Sequence, residues 1–442
     1  MNRRLACSRH PFACIVPIAL SAVLPTAGAA DRMSSAGPQR RIAVAWDESG
    51  PAGGAVRAFD AASPWGSPTA ALTTGGGTRL RYAAGRVYAV SAAADSITLI
   101  RPDDWTVQRV YALGAGSGPQ DVAVVGPRTA YVTRAGSTRL LRLDLETGAT
   151  AETADFAPFA DADGNPDMAR MAVHAGRVFV QLQRFNTSTY TYALPSYLAV
   201  VDAAGGELID ADPVAAGVQP IDLAGRAPRG RMHVQSDERR LVVSASGDFW
   251  DAGGIEVIDL DGLQTLGLAL REEDGQTGAD LGAFTMVSPL RGFLVYSTDL
   301  ALSSHLRPFT LDGGVDPGAD LYVVVDYFVP TIVHEPHDDR LFLPTAEGQV
   351  RGVHVFDGQS GERLTSAPIA TPGVPTDVAL FYTGCWPPAD VNGDGVADGR
   401  DVQTMLHCLV SAPIDCPCGD LDGSGRTDPQ DAALFADWLL RG

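Results

Sequence analysis

The chain has 442 residues, 45% of them hydrophobic, and a formal net charge of −20 at pH 7. That is enough apolar material for one large core and a second, smaller domain. Every basic residue is arginine, which excludes Schiff-base and phosphate-gripping lysines, and the acidic balance speaks against partners such as nucleic acid or an anionic membrane surface.

The N-terminus opens with the basic "MNRRLACSRH", continues with the apolar "FACIVPIALSAVL" and ends in the small residues "PTAGAA". This order predicts a secretory signal peptide over residues 1–30, because the apolar run is too short to span a bilayer. No later run predicts a membrane span, so the expectation is a secreted or cell-surface protein. Cleavage removes Cys7 and Cys14 and leaves Cys385, Cys408, Cys416 and Cys418, all near the C-terminus. In an oxidising compartment these predict disulfides, with three pairings open. Zinc is the other option, although "CPC" at Cys416–Cys418 lacks the two-residue gap of a zinc knuckle.

Residues 40–383 consist of short apolar β-type runs between Gly, Asp and Pro turns. One kind of run recurs seven times: "RIAVAWD" at Arg41, "RVYAVSA" at Arg86, "TAYVTRA" at Thr129, "RVFVQLQ" at Arg177, "RLVVSAS" at Arg240, "GFLVYST" at Gly292 and "RLFLPTA" at Arg340. A second run follows each and ends in Asp and a turn, as in "LLRLDLETG" and "VHVFDGQSG". Recurrence at roughly 40 to 55 residues predicts four-stranded blades packed around a ring. Inner strands carry a proline lead-in at "GPQDVAVV", "NPDMARMAV" and "VPTIVHEP", and the last is "VPTDVALFY" from Val374. That last run has no later strands to complete its blade, and the first two runs have no inner strand. Pairing the C-terminal run with the N-terminal ones completes the seventh blade and removes the open edge.

The stretch "GPQDVAVVGPRTAYVTRAGSTRLLRLDLETG", with Arg134 in place of the usual Asn, resembles the bacterial YVTN-type propeller repeats of secreted proteins. The resemblance implies a seven-bladed β-propeller and no single activity.

Three motifs inside the ring look chemical and are expected to be structural. "HEPHDD", His334 to Asp339, misses the metalloprotease spacing by one residue and falls where each blade has its first turn. "DADGNPD" from Asp161 starts like a calcium loop, but Pro166 replaces the turn glycine and Ala172 stands where the closing acid belongs. "SGDFWDAGG" from Ser246 is expected to be a long blade loop. No Gly-x-Ser-x-Gly elbow occurs. No catalytic or organic-cofactor residue is assigned.

The segment 385–442 differs in kind. In "DVNGDGVADGRD", oxygen ligands fall at Asp390, Asn392, Asp394, Asp398 and Asp401, with the Val396 carbonyl at position seven. "DLDGSGRTDPQD" repeats the pattern with Asp420, Asp422, Ser424, Asp428 and Asp431, and Arg426 at position seven. Hard Ca²⁺ takes six to eight oxygens, and two such loops predict two ions. Each loop leads into an apolar stripe at helical spacing, Val402, Met405, Leu406 and Leu409 in one and Leu434, Phe435, Trp438 and Leu439 in the other. The two stripes are expected to pack on each other.

This pair of loop–helix repeats resembles a type I dockerin domain, a reduced EF-hand pair with Asp at position twelve. The resemblance implies calcium-dependent folding and docking to a cohesin-like protein module. The whole chain then reads as an all-β, seven-bladed β-propeller closed by its terminal strands, plus a small α-helical dockerin-like calcium-binding domain. Its expected role is that of a secreted, non-catalytic binding protein, tethered by the tail to a cohesin-like or cell-surface partner, with a glycan or protein ligand on the ring. The alternative is a propeller lyase, lactonase or glycoside hydrolase of polysaccharide catabolism anchored by the same tail.

Overall fold

The computed structural model describes residues 39–48, 53–66, 68–235, 238–247, 252–272, 280–297, 303–312, 314–315, 320–325, 327, 329–385, 388–391, 397–411, 416–422, 424 and 427–441. The expected leader, Phe249 and Trp250 of the long blade loop, and the loop positions Asn392, Asp394, Val396 and Arg426 lie outside the described residues.

Among the described residues, seven antiparallel sheets of four or five strands follow one another along the chain. Their innermost strands are Thr78–Ala83, Pro119–Gly126, Met168–His174, Pro228–Gln235, Leu281–Met286, Val333–Glu335 and Val374–Thr383. These define blades 1 to 7, and the protein is a seven-bladed β-propeller. All seven recurring runs found in the sequence form the second strand from the centre. Blade 7 closes the ring as expected: Val374–Thr383 pairs with Gln39–Asp47, with Val378 opposite Val44 and Phe381 opposite Arg41.

Period-two alternation explains how each blade buries both faces. Along Gln39–Asp47, Ile42 and Val44 pack with Phe342, Val353 and Val355 of blade 6, whereas Ala43 and Ala45 pack with Leu80, Val87 and Ala89 of blade 1. The Asp that ends many second runs is a turn former. The Oδ1 of Asp144 accepts from the amides of Glu146 and Thr147 at 3.0 and 2.7 Å, and that of Asp357 accepts from Gln359 and Ser360 at 3.1 and 2.8 Å. Each turn then reverses at a glycine with positive φ, Gly148 at 79° and Gly361 at 74°.

The tail contributes helix α1 (Asp401–Ser411) and helix α2 (Pro429–Arg441). The four cysteines form the disulfides Cys385–Cys418 and Cys408–Cys416, which selects one of the three pairings and excludes the zinc option. The helical stripes pack only in part as expected. Met405, Leu434 and Phe435 are buried together with Val391 and Leu421, but Val402 is 40% exposed and Leu406 57%. Trp438 packs both against this tail core and against the ring cluster containing Ala83, Ala84 and Tyr88. Cys385 and Cys418 join the cluster of Tyr82, Trp105 and Phe381. The tail therefore lies on the ring, and Gly37–Gly442 form one compact unit.

Candidate metal centre and the axial channel

The two acidic loops share their hydrogen-bond geometry. At position twelve, Asp401 accepts from the amide of Asp398 at 2.8 Å, and Asp431 accepts from the amide of Asp428 at 2.8 Å. At position nine, Asp398 accepts from the Arg400 amide and Asp428 from the Gln430 amide, each at 2.7 Å. Asp428 thus caps the start of α2, where orphan amides favour an acid, and Asp398 makes the same bond in the turn that precedes α1. The other Asp431 oxygen ties the loop together, accepting from Leu421 at 2.7 Å and Asp422 at 3.1 Å. Asp420 and Asp422 both accept from the Ser424 amide at 2.9 Å.

In the second loop, oxygens of Asp420, Asp422 and Asp431 lie within 4.8 Å of one another. Asp431 is fully buried and Asp420 nearly so. Burial raises the Asp431 carboxyl far above the usual range, and the charges of Asp422 and Asp420 raise it further. Asp422 is raised by burial and then by Asp428. Three crowded carboxylates held from water need a cation to stay ionised, and an all-oxygen set suits a hard one. The triad could hold a metal ion. In the first loop, Asp390 and Asp401 are buried, with relative exposures of 1% and 0%.

The second loop lies at one end of the central channel. Asp420, Asp422 and Ser424 line that end together with Tyr82, Val124, Val173, His233 and Tyr382 of the innermost strands. A backbone hydrogen bond from Ala84 to the Leu421 carbonyl, 2.8 Å, fixes the loop to blade 1.

The motifs expected to be structural behave so where described. In "HEPHDD", His334 bonds to Asp339 at 2.8 Å, and the buried Glu335 accepts from Arg40 at 3.0 Å and from the amides of His337 and Asp338. In "DADGNPD", Asp163 and Asp167 accept from the amides of Thr187 and Phe185 at 3.1 and 2.7 Å, docking the hairpin of Phe185–Asn186 and Thr191–Tyr192.

Sequence reasoning missed a second charged cluster, inside the channel. Asp121 of blade 2 and Asp377 of blade 7 are fully buried. Arg81 donates from Nε to Asp121 at 2.8 Å, and the Met171 amide donates to its other oxygen at 2.8 Å. Asp377 accepts from Arg170 at 3.0 Å, Arg231 at 3.1 Å and the Leu80 amide at 2.9 Å. Burial opposes the Asp377 charge, but Arg231, Arg170 and the amide outweigh it and hold the carboxyl at about 2. The available signal was "DVA" at Asp121 and Asp377, together with Arg two residues apart at Arg79/Arg81 and Arg229/Arg231.

The chain matches no protein-family profile and no curated sequence. Solved structures match it in fold. A putative 6-phosphogluconolactonase from Bacteroides fragilis superimposes with a TM-score of 0.54 at 12% identity, covering 77% of this chain and 98% of that one. Apo AztD from Citrobacter koseri gives 0.46 at 12% identity over 78% and 98%. The hydrazine synthase of Kuenenia stuttgartiensis gives 0.45 at 12% identity over 62% and 73%. At such identities the likeness concerns the propeller fold alone.

Proposed function

We propose that the chain is a secreted, non-catalytic binding protein whose dockerin-like tail, loaded with two Ca²⁺ ions, ties the propeller to a cohesin-like module or cell-surface component. The observation that carries this reading is the matched pair of loops. Asp398 with Asp401 and Asp428 with Asp431 repeat one hydrogen-bond pattern at the start of α1 and α2. Asp390, Asp398 and Asp401 would hold one ion, and Asp420, Asp422, Ser424, Asp428 and Asp431 the other. Calcium would neutralise the buried carboxylates and lock each loop to its helix.

A shallow apolar groove between the helices supports the docking half. It is lined by Val402, Leu406 and Leu409 of α1 and by Ala436, Leu439 and Leu440 of α2. Leu440 is 84% exposed, and contiguous apolar surface of this kind suits a protein partner.

Titration of the metal-stripped protein with Ca²⁺ in a calorimeter, followed by capture on an immobilised cohesin module, tests both halves. Two calcium equivalents and capture lost on Leu406→Asp support the reading. Two equivalents without capture sink the docking half, and absence of calcium binding sinks both.

A further inference from the structure

Blade 3 carries an insertion between its second and third strands. The second strand ends at Leu182 and the third begins at Ser196, and the residues between them form the hairpin of Phe185–Asn186 and Thr191–Tyr192. The same link is only residues 92–95 in blade 1 and 135–138 in blade 2. Among the described residues, no other blade has paired strands at this place. The hairpin stands on the face of the ring opposite the tail. Its base bonds to groups at the start of innermost strands: the Phe185 amide donates to Asp167, just before Met168, at 2.7 Å, and Arg229 donates to the Tyr192 hydroxyl at 2.9 Å. The second acidic loop lies instead beside Tyr82, Val124 and Val173, at the far ends of such strands.

The hairpin is tied down along its length. Asp163 accepts from the amide and the hydroxyl of Thr187, both at 3.1 Å, and the Asn186 side chain accepts from the amides of Ser188 and Thr189 at 3.0 and 3.1 Å. The Arg184 guanidinium lies over the Tyr197 ring, 4.4 Å from its centroid. On this base three rings meet. Phe185 lies 4.9 Å from Tyr192 and 6.1 Å, edge to face, from Tyr190. Tyr190 nevertheless remains 72% exposed.

The backbone of Tyr190 is the informative feature. Its φ is 56°, in the left-handed region where a side chain costs about 1–2 kcal/mol and glycine sits freely. Two tryptophans share this conformation, Trp105 at 52° and Trp65 at 54°. Both are offset by packing, Trp105 on Phe381 at 5.3 Å and Trp65 on the cluster of Phe59 and Phe342. Tyr190 has only the edge contact with Phe185, and most of its ring stays in water. A large aromatic side chain at an exposed glycine-like position is not what folding selects, which leaves contact outside the chain as its reason.

The surroundings of the ring select the occupant. A stable protein partner needs about 800 Å² on each side with an apolar centre. The hairpin offers one exposed ring and Leu194 among the exposed hydroxyl residues Thr187, Ser188, Thr189 and Thr191. This suits a sugar, whose apolar C–H face lies on an aromatic ring while its hydroxyls exchange hydrogen bonds with short polar side chains. Asp161, Asp163 and Asp167 beneath the hairpin disfavour an acidic one. We propose that the blade 3 hairpin is a binding platform for a neutral polysaccharide, with Tyr190 stacked on a sugar ring and the hydroxyls of Thr189 and Thr191, 2.7 Å apart, bonding its edge. The platform does not rest on the calcium reading, since the acidic loops occupy the other face.

The test titrates the full mature chain by calorimetry with cellohexaose, xylohexaose and hexagalacturonate. Tyr190→Gly removes the ring and relieves the backbone, Tyr190→Phe keeps the ring, and Leu266→Ala, at an exposed position on blade 4, is the control. The expected result is saturable binding of a neutral oligosaccharide that Tyr190→Gly weakens about tenfold or more and the other two variants retain. The melting temperature of Tyr190→Gly should equal or exceed that of the wild type. Preference for cellohexaose identifies a hexose chain and preference for xylohexaose a pentose chain. Absence of saturable binding of both up to about 10 mM, binding indifferent to Tyr190→Gly, or tighter binding of hexagalacturonate overturns the proposal. So does a lower melting temperature of Tyr190→Gly, which would make the ring part of the fold. Repeating the titration after chelation separates this outcome from failure of the calcium reading, because the platform contains no acidic-loop residue.

Discussion

The amide of Ala84 donates to the carbonyl of Leu421 at 2.8 Å. One hydrogen bond thus joins the turn after the innermost strand of blade 1 to the residue between Asp420 and Asp422. The amide of the same Leu421 donates to Asp431, so Leu421 is one residue through which the state of the acidic loop reaches the ring. Chelation is expected to speed hydrogen exchange at Ala84 while amides at the centre of blade 4, such as Val242, stay protected. Asp431→Asn should do the same with calcium present and should cost one calcium equivalent in a titration. Unchanged exchange at Ala84 in both cases would mean that the loop holds its shape without a cation.

Asp377 joins blades 1, 3, 4 and 7 through Leu80, Arg170, Arg231 and its own strand. Asp377→Ala leaves two buried guanidinium groups without their carboxylate and should destabilise the ring by about 3–5 kcal/mol in denaturant unfolding. An effect below about 1 kcal/mol would show that water can replace the carboxylate.

The same residue sets an acid limit. Its folded pKa of about 2 lies below the unfolded carboxylate value. The stability it contributes, about 2–3 kcal/mol, is therefore complete above roughly pH 4 and is lost as the pH falls through about 2. Melting temperatures measured across this window should fall more steeply in the wild type than in an Asp377→Asn variant.

Closure of the ring depends on a close approach. A Cβ on Gly373 would stand 2.0 Å from the Asp47 carbonyl oxygen and 2.5 Å from the Trp46 ring. Gly373→Val should cost about 1–3 kcal/mol by pushing the two terminal strands apart. Protease nicking between residues 39 and 60, followed by mass spectrometry, locates the damage; cleavage elsewhere first would refute the assignment of strain to this seam.

Replacing both Cys385 and Cys418 by Ser removes the covalent tie between the end of the ring and the turn before the second loop. The cross-link closes a 33-residue separation, and its loss should cost about 2–4 kcal/mol of tail stability. Limited proteolysis should release the tail while the ring remains intact. Joint loss of both parts would mean that the ring needs the tail to fold.

The propeller was legible because each blade needs the same alternation, and "RVYAVS", "RVFVQL" and "RLVVSA" supply it at one position in the fold. Closure was legible from what the ends lacked, an inner strand at one and outer strands at the other. The acidic loops were legible because oxygen-bearing side chains at alternate positions leave a local trace. The channel cluster left no such trace: Asp121, Arg170 and Asp377 are far apart in sequence and meet only once the ring is closed. The packing of Trp438 against the cluster between blades 1 and 2 was equally hidden, because a helical stripe announces that it will be buried and not against what. Leu406 read as core and proved exposed, in the groove between α1 and α2.

The pairing of Gln39–Asp47 with Val374–Thr383 also orders events in time. The first strand of the ring leaves the ribosome with its inner partner still unmade, and it waits for almost the entire propeller before that partner arrives. Until then it is an unprotected edge of the kind that recruits other chains. A nascent molecule halted anywhere before Val374 is thus the most aggregation-prone form of this protein, and the last strand to be made is the one that ends the danger.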